Sequence, residues 1–148
     1  MRSFFQNKNS AWIPVLLGII ACLLVVGFNA LNPTILDLAQ GVDPFKDYVG
    51  WMFFRNGPWT FPIGLNPTYG LDFSNSIVFS DSIPLLAFIF KAIRFALPET
   101  FQYLGIWTLI CFVLQAYFAW LLIGLMTQNK ILKVFVCIIF IFAPPLLW

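Results

Sequence analysis

Two acidic residues, Asp43 and Asp47, stand four positions apart in the segment DPFKDYVGWMFFR. Side chains at this spacing lie on one face of a helix, so both carboxylates can point the same way. With Lys46 and Arg55 close by, they could position a divalent metal ion and a phosphate, or take a proton from an acceptor group. The alternative is that Asp43 only caps a helix, while Asp47 and Lys46 form its solvated side. Spacing alone favours the alternative.

Aromatic residues form a second group of candidates: Trp51, Trp59, Phe61 and Tyr69. Their rings could stack on a sugar or line a groove for a lipid chain. They could equally form the belt of Trp and Tyr that is enriched at membrane surfaces. Asp81, which precedes the segment SIPLL, could contact a substrate or cap a helix.

Composition limits the elements that can position these residues. Of the 148 residues 61% are hydrophobic and 9% are charged, against roughly 45–50% and 25% in soluble domains. Such a composition is typical of a membrane protein. The net charge of +2 gives no indication of nucleic-acid binding. The chain has no His, and its three Cys lie far apart, which excludes a Ser/His/Asp triad and gives no sign of a zinc site or a disulfide framework.

The first apolar run predicts a transmembrane helix over residues 11–29. A basic segment, residues 1–10, precedes it and is expected to stay in the cytoplasm, which places the following chain outside. A signal peptide is the alternative, but Phe28 stands where its cleavage site requires a small residue. We therefore expect a retained helix.

Residues 30–102 form the predicted extracytoplasmic loop, which contains all six acidic residues of the chain. Asp43 and Pro44 make a good helix start, so we expect a helix over about 43–55. Its apolar side is expected to lie along the membrane surface and consists of Phe45, Val49, Met52 and Phe53.

Residues 82–97 form an ambiguous apolar segment. The transmembrane helices predicted after it cover 103–126 and 131–148, joined by a short loop at 127–130. If 82–97 spans the membrane, 127–130 is outside; if it lies on the outer surface, 127–130 is cytoplasmic. Charge bias does not choose, since each arrangement puts four basic residues on either side. The short length and the charges of Lys91 and Arg94 favour the surface. The end of the chain within the last apolar run predicts that the sequence is truncated.

Several segments resemble a known family. Four motifs are similar to bacterial polytopic membrane proteins of unassigned function that are grouped with the GT-C glycosyltransferase superfamily. They are GW-FFR--PWTFPIG-NP-YG, F-DSIPLLA-IFK, FQYLGIWTLICFVLQAYFAWLL and the terminal FAPPLLW. The resemblance covers residues 41–148. Gln-His often stands near positions 46 and 47 in that family, so Asp47 departs from its pattern.

The resemblance implies a fold, a reaction and a site. In GT-C enzymes an acidic residue soon after the first span acts at the acceptor or at a metal ion, and the donor is a sugar on a polyprenyl phosphate. Carried onto this chain, the acid would be Asp43, with Asp47 as second choice. Apart from the resemblance, charge and nearness in sequence suggest that Lys46 or Arg55 could hold the departing phosphate. The metal would be a divalent cation such as Mg²⁺ or Mn²⁺, and 82–97 would be a surface helix, with 127–130 cytoplasmic.

The sequence thus predicts an all-α protein of the bacterial inner membrane, with about three transmembrane helices and a large outer loop carrying surface helices. Its expected function is that of the N-terminal part of a GT-C-like glycosyltransferase, inactive as a fragment without the rest of its polypeptide. The bilayer and a polyprenyl-phosphate sugar are the expected partners, and nucleic acid is not. Alternatives are a non-catalytic membrane protein, such as a transporter component or envelope assembly factor, and an inactive gene fragment.

Overall fold

The computed structural model describes residues 10–37, 42–70, 74–81 and 83–143, without the side chains of Val42 and Asp43. The chain divides into two compact units. Unit 1 joins the segment up to Leu31 with the segment from Gly105 onward, and unit 2 runs from Asn32 to Leu104. The described residues are mostly helical, as the sequence predicts.

Unit 1 is built from three apolar helices, α1 (Trp12–Val26), α5 (Leu104–Met126) and α6 (Lys130–Ile141). Small residues let α1 and α5 approach closely. A Cβ atom added at Gly18 would lie 2.6 Å from the Cα atom of Val113, so only glycine fits there. The buried core of the unit consists of Ala21, Cys22, Phe112, Ala116, Ala119, Trp120, Cys137 and Ile141.

Helix α5 is long and apolar enough to cross a membrane. Its 23 residues have a mean hydropathy of 2.2 over the most apolar stretch, of which only 22% is buried within the protein. A core helix of a soluble protein would be mostly buried, whereas the outward side chains of α5 are large and apolar, among them Trp107, Leu114 and Phe118.

The other two predicted spans form shorter helices. α1 has 15 residues and α6 has 12, fewer than the ~20 that a spanning helix needs. α1 ends at Gly27, whose φ of +85° is a left-handed conformation suited to glycine. Residues 1–9 and 144–148, which belong to the predicted N-terminus and third span, lie outside the described residues.

Unit 2 contains the acidic loop and its helices, α2 (Val42–Asn56), α3 (Ile77–Ser80) and α4 (Pro84–Ala92). Two short strands, β1 (Leu65–Asn66) and β2 (Asn75–Ser76), pair antiparallel between α2 and α3. The predicted helix over 43–55 is therefore present, although it begins at Val42 and includes Asp43 rather than following it. α4 has nine residues and rises about 14 Å, about half of the ~30 Å hydrocarbon core.

An aromatic core holds unit 2 together. Trp51 and Phe54 project from α2 and pack with Phe101 and Tyr103, which precede α5. The rings meet edge to face, as with Trp51 and Tyr103 at 5.2 Å between centroids. On the opposite face of α2, Phe45 and Phe53 are exposed, as predicted for its apolar side. Met52, predicted for the same side, instead packs against the aromatic core.

Candidate functional site

Three separate segments of unit 2 form a small cleft around two carboxylates. α2 contributes Asp47, Tyr48 and Trp51, the α3–α4 connection contributes Asp81, and the segment before α5 contributes Gln102 and Tyr103. The cleft has a free volume of about 10 Å³, roughly the room for one water molecule. A sugar therefore does not fit inside it, and a substrate group would have to approach from its open side.

Asp81 is fixed at both of its carboxylate oxygens. Its Oδ1 accepts a hydrogen bond of 2.7 Å from the backbone N–H of Ile83, and its Oδ2 accepts one from the hydroxyl of Tyr103. Burial raises the pKa of Asp81 and the charge of Asp47 raises it further, while the two hydrogen bonds lower it. Burial and the charge of Asp81 raise the pKa of Tyr103. Asp81 and Tyr103 thus form a buried, hydrogen-bonded pair whose position is fixed.

Asp47 is the more accessible carboxylate of the cleft. Its side chain is 17% exposed, and the ammonium of Lys46, which is 52% exposed, lies 3.9 Å from its Oδ1. Such a surface pair contributes little to stability. Asp47 is therefore the cleft acid that is best placed to meet another molecule.

The cleft does not by itself form a metal site. Within the described ranges, no three or more His, Cys, Asp or Glu side chains are arranged to hold a metal ion. Mg²⁺ is often held by one or two carboxylates together with substrate phosphates. In such a site, Asp47 and Asp81 could be the carboxylate ligands, and the phosphate ligands would come from the substrate.

One wall of the cleft is a strap, Phe101 to Tyr103, which is tied to distant parts of unit 2. The indole N–H of Trp51 donates to the carbonyl of Phe101 at 2.9 Å. The backbone N–H of Gln102 donates to the carbonyl of Pro33 at 2.7 Å, and its side-chain amide donates to the carbonyl of Asn32 at 3.1 Å. These bonds fix the position of Tyr103 and, through it, that of Asp81.

Three cationic side chains lie at the C-terminal end of α2. All of their hydrogen bonds in the described residues go to backbone carbonyls. Arg55 donates to Glu99 and Leu97 at 2.9 and 3.0 Å. Arg94 donates to Arg55 and Gly57 at 2.8 and 2.9 Å. Arg94 thus compensates a carbonyl that α2 leaves unpaired at its C-terminus. Arg55 instead ties this end of α2 to the segment that precedes α5.

Lys91 is the third cation and is only 1% exposed. Its ammonium donates to the carbonyl of Pro58 at 3.0 Å and lies 3.8 and 4.6 Å from the ring centroids of Phe54 and Trp59. Burial and the charge of Arg94 lower its pKa to about 8. The aromatic faces offset part of the cost of burying this charge.

The structure brings only some of the sequence candidates together. Asp47, Trp51 and Asp81 line one cleft, and Lys46 borders it. Trp51 is 1% exposed, so its ring packs in the core and cannot stack on a sugar. Arg55 is buried and engaged by carbonyls, which leaves it no free face for a phosphate. The side chain of Asp43 lies outside the described part of the structure, so its catalytic role stays a prediction.

One predicted residue stands away from the cleft, and two cleft residues were not predicted. Trp59 is half exposed and covers Lys91 rather than the carboxylates. Tyr103 and Gln102 were not predicted as site residues, although both carry polar groups at the start of the long apolar run. A polar residue at the start of a span is a weak signal, because such residues are common at membrane boundaries.

We expect Tyr103→Phe to destabilise unit 2 by about 1–3 kcal/mol, because it removes a partner of the buried Asp81 carboxyl. Burial raises the pKa of Asp81, so its ionisation costs stability as pH rises through its folded-state pKa. The hydrogen bond from Tyr103 lowers that pKa and therefore offsets part of this cost only when Asp81 is ionised. The destabilisation should thus be larger at pH 7 than at pH 4, where more of Asp81 is neutral. Thermal unfolding in detergent, followed by tryptophan fluorescence, measures both values.

Tyr69→Phe is the matched control for this substitution. The ring of Tyr69 packs on Phe53 at 5.4 Å, and its hydroxyl makes no hydrogen bond within the described part of the chain. Equal unfolding temperatures for the two variants would contradict a stabilising bond between Tyr103 and Asp81.

A second prediction concerns the pH dependence caused by Lys91. Its pKa is about 8 in the folded state and about 10.4 in an unfolded chain. Between these values the unfolded state binds more protons, so the free energy of unfolding should rise with pH. Lys91→Met should lose this rise. The unfolding temperatures of both proteins at pH 7.5 and pH 9.5 measure this rise. An equal change in unfolding temperature between the two pH values in both proteins would contradict a lowered pKa of Lys91.

In the part of the chain that the structure describes, these features define a mostly helical protein with one helix able to cross a membrane and a carboxylate cleft in a separate unit. Residues 15–148 match the sequence profile of a family described as a domain of unknown function, DUF6311, and the chain belongs to that family. No curated protein and no solved structure matches the chain significantly.

Proposed function

We propose that this chain carries the outer catalytic loop of a GT-C-like glycosyltransferase, which transfers a sugar from a polyprenyl phosphate to an extracytoplasmic acceptor. The observation that carries the proposal is the convergence of Asp47 and Asp81 on one cleft, beside Tyr103. Tyr103 is the residue before α5, so this acidic cleft adjoins, in the chain, the helix best suited to cross the membrane. The family resemblance at these segments supports the reaction class, although a fold alone does not establish chemistry.

The proposal places the protein in the bacterial inner membrane, with about three spans. α5 is the second span, and α1 and α6 belong to the first and third. The N-terminus and residues 127–130 are cytoplasmic, and unit 2 is outside. The exposed apolar face of α2 and the short helix α4 lie along the membrane surface, where a lipid phosphate and a soluble acceptor can meet.

Asp47 is the proposed reactive carboxylate, since Asp81 is held by Ile83 and Tyr103. An acceptor hydroxyl that approaches the open side of the cleft could give its proton to Asp47, a contribution of typically 10²–10⁴-fold in rate. Lys46 is exposed and can bind the departing phosphate. A divalent cation, if required, would use Asp47 or Asp81 together with phosphate oxygens.

A non-catalytic membrane protein is the second candidate, and a specific observation favours it. The polar groups of Trp51, Arg55 and Asp81 all take part in hydrogen bonds within the protein. An ordered loop of this kind suits the binding of a partner as well as catalysis. This candidate predicts that single acidic residues can be replaced without loss of function.

Cells that lack the gene provide the test of the proposed function. We expect mass spectrometry of their cell-envelope glycans to reveal the loss of one sugar addition, with undecorated acceptor accumulating in its place. Expression of the wild-type chain in its full gene context should restore the sugar. An unchanged glycan profile in the deletion strain would contradict a glycosyltransferase function and favour the second candidate.

A further inference from the structure

The loop after α2 is unusually free of charge. Residues 56–71 contain no Asp, Glu, Lys or Arg, although the outer segment around them holds every acidic residue of the chain. The same stretch contains Trp59, Phe61 and Ile63. A water-exposed loop normally includes charged residues, so this stretch has the composition of a surface that contacts an apolar environment.

The strand pairing places this loop beside α3. Leu65 pairs with Ser76, and the carbonyl of Gly64 accepts hydrogen bonds from the N–H of Ile77 at 2.9 Å and from the hydroxyl of Ser76 at 3.1 Å. Ile63 and Val78 therefore flank the same junction. The two segments meet through backbone bonds that do not depend on their outward side chains.

The outward side chains at this junction are large and apolar. In α3, Ile77 and Ser80 are buried, which turns Val78 and Phe79 away from the core. Phe61 is 92% exposed and Phe79 is 80% exposed. We call the exposed side chains that stand on both sides of this junction, those of Phe61, Ile63, Val78 and Phe79, the apolar patch. It is distinct from the carboxylate cleft, with which it shares no residue.

We infer that the apolar patch inserts into the headgroup and acyl boundary of the bilayer and anchors unit 2 on the membrane. Unit 2 ends at Leu104, the first residue of α5, so no linker separates it from the helix that can cross the membrane. This tether keeps the bilayer at high effective concentration for any apolar surface of the unit. The absence of charged side chains from residues 56–71 lowers the cost of bringing the loop to the lipid.

The neighbouring Trp59 agrees with a lipid partner. Its indole is half exposed and belongs to the residue type that is enriched at the membrane interface. A protein partner would be expected to meet a polar rim around an apolar centre. The loop on one side of the patch offers only uncharged polar residues, such as Thr60 and Thr68, to such a rim.

Fluorescence of a polarity-sensitive probe tests this inference. Phe61→Cys and Phe79→Cys are each labelled with an NBD group in the full chain, which is reconstituted into phosphatidylcholine vesicles with or without doxyl-labelled lipid. The unsubstituted chain, labelled in parallel, corrects for the three native cysteines. Thr100→Cys is the matched control, because Thr100 is an exposed polar residue of the same unit.

Emission at shorter wavelength, with quenching by the doxyl lipid, is expected at positions 61 and 79 and absent at position 100. Emission equal to that at position 100 would overturn the inference. Short-wavelength emission without lipid quenching would overturn it too, because protein rather than lipid would then cover the patch. Ile63→Cys and Val78→Cys provide a second pair if either phenylalanine variant unfolds at a lower temperature than the parent. The test does not depend on the glycosyltransferase proposal.

Discussion

Asp47→Asn is expected to lower the rate of sugar transfer by about 10²–10⁴-fold, the usual contribution of a positioned general base. The amide has nearly the shape of the carboxylate, but it cannot accept the proton of an acceptor hydroxyl. Incorporation of labelled sugar over time, in deletion cells that express each variant, measures the rate. The unfolding temperature of the variant should stay close to that of the wild type, since Asp47 has only a loose ion pair with Lys46.

Glu99→Gln is the matched control for the loss of one negative charge from unit 2. Glu99 is exposed, and it contributes only its backbone carbonyl to the bond with Arg55. Its variant should transfer sugar at the wild-type rate. Full activity of Asp47→Asn would contradict the assignment of Asp47. Asp43→Asn in the same assay tests the other acid predicted from the sequence, whose side chain the structure does not describe.

Gly50→Ala should destabilise unit 2, although helix propensity alone predicts the opposite. In an exposed helix, alanine is favoured over glycine by about 0.8–1 kcal/mol. At position 50, however, the new Cβ atom would lie 2.1 Å from the carbonyl oxygen of Ser80. The neighbour is backbone, so α2 and α3 must move apart, and overpacking of this kind costs about 1–3 kcal/mol or more.

The same shift would disturb a buried hydrogen bond, because the carbonyl of Gly50 accepts from the side chain of Asn66 at 3.0 Å. Thermal unfolding in detergent should show a clear decrease in midpoint. Gly64→Ala is the control, since its Cβ atom would meet nothing closer than the Ser76 hydroxyl at 3.4 Å. A midpoint for Gly50→Ala at or above that of the wild type would contradict the close packing of α2 on Ser80.

The helices of this chain could be predicted largely from local sequence. Pro44 and Pro84 each mark a helix start, and Gly57 follows a helix end. These signals act through backbone geometry within a few residues, so they can be read without knowledge of the fold. The shortness of α1 was not predictable in the same way, because the apolar run continues beyond the point where Gly27 turns the chain.

The candidate site could be predicted only in part, because its contacts join distant segments. The spacing of Asp43 and Asp47 suggested carboxylate chemistry, but nothing local indicated that Asp47 shares a cleft with Asp81. Tyr103 reaches Asp81 only because Trp51 and Gln102 fix the strap before α5. Charge and nearness in sequence likewise suggested a phosphate ligand at Arg55, whereas the carbonyls of Leu97 and Glu99 occupy its guanidinium.

The proposed glycosyltransferase function requires that the carboxylate cleft faces the outside and that α5 crosses the membrane between the cleft and the cytoplasmic residues 127–130. Labelling of Thr100→Cys in unit 2 and Gln128→Cys after α5 with a membrane-impermeant maleimide tests this most directly. Both positions are exposed. In intact spheroplasts, position 100 should react and position 128 should react only after the membrane is permeabilised. Reaction of position 128 in intact spheroplasts, with position 100 protected until permeabilisation, would contradict the account.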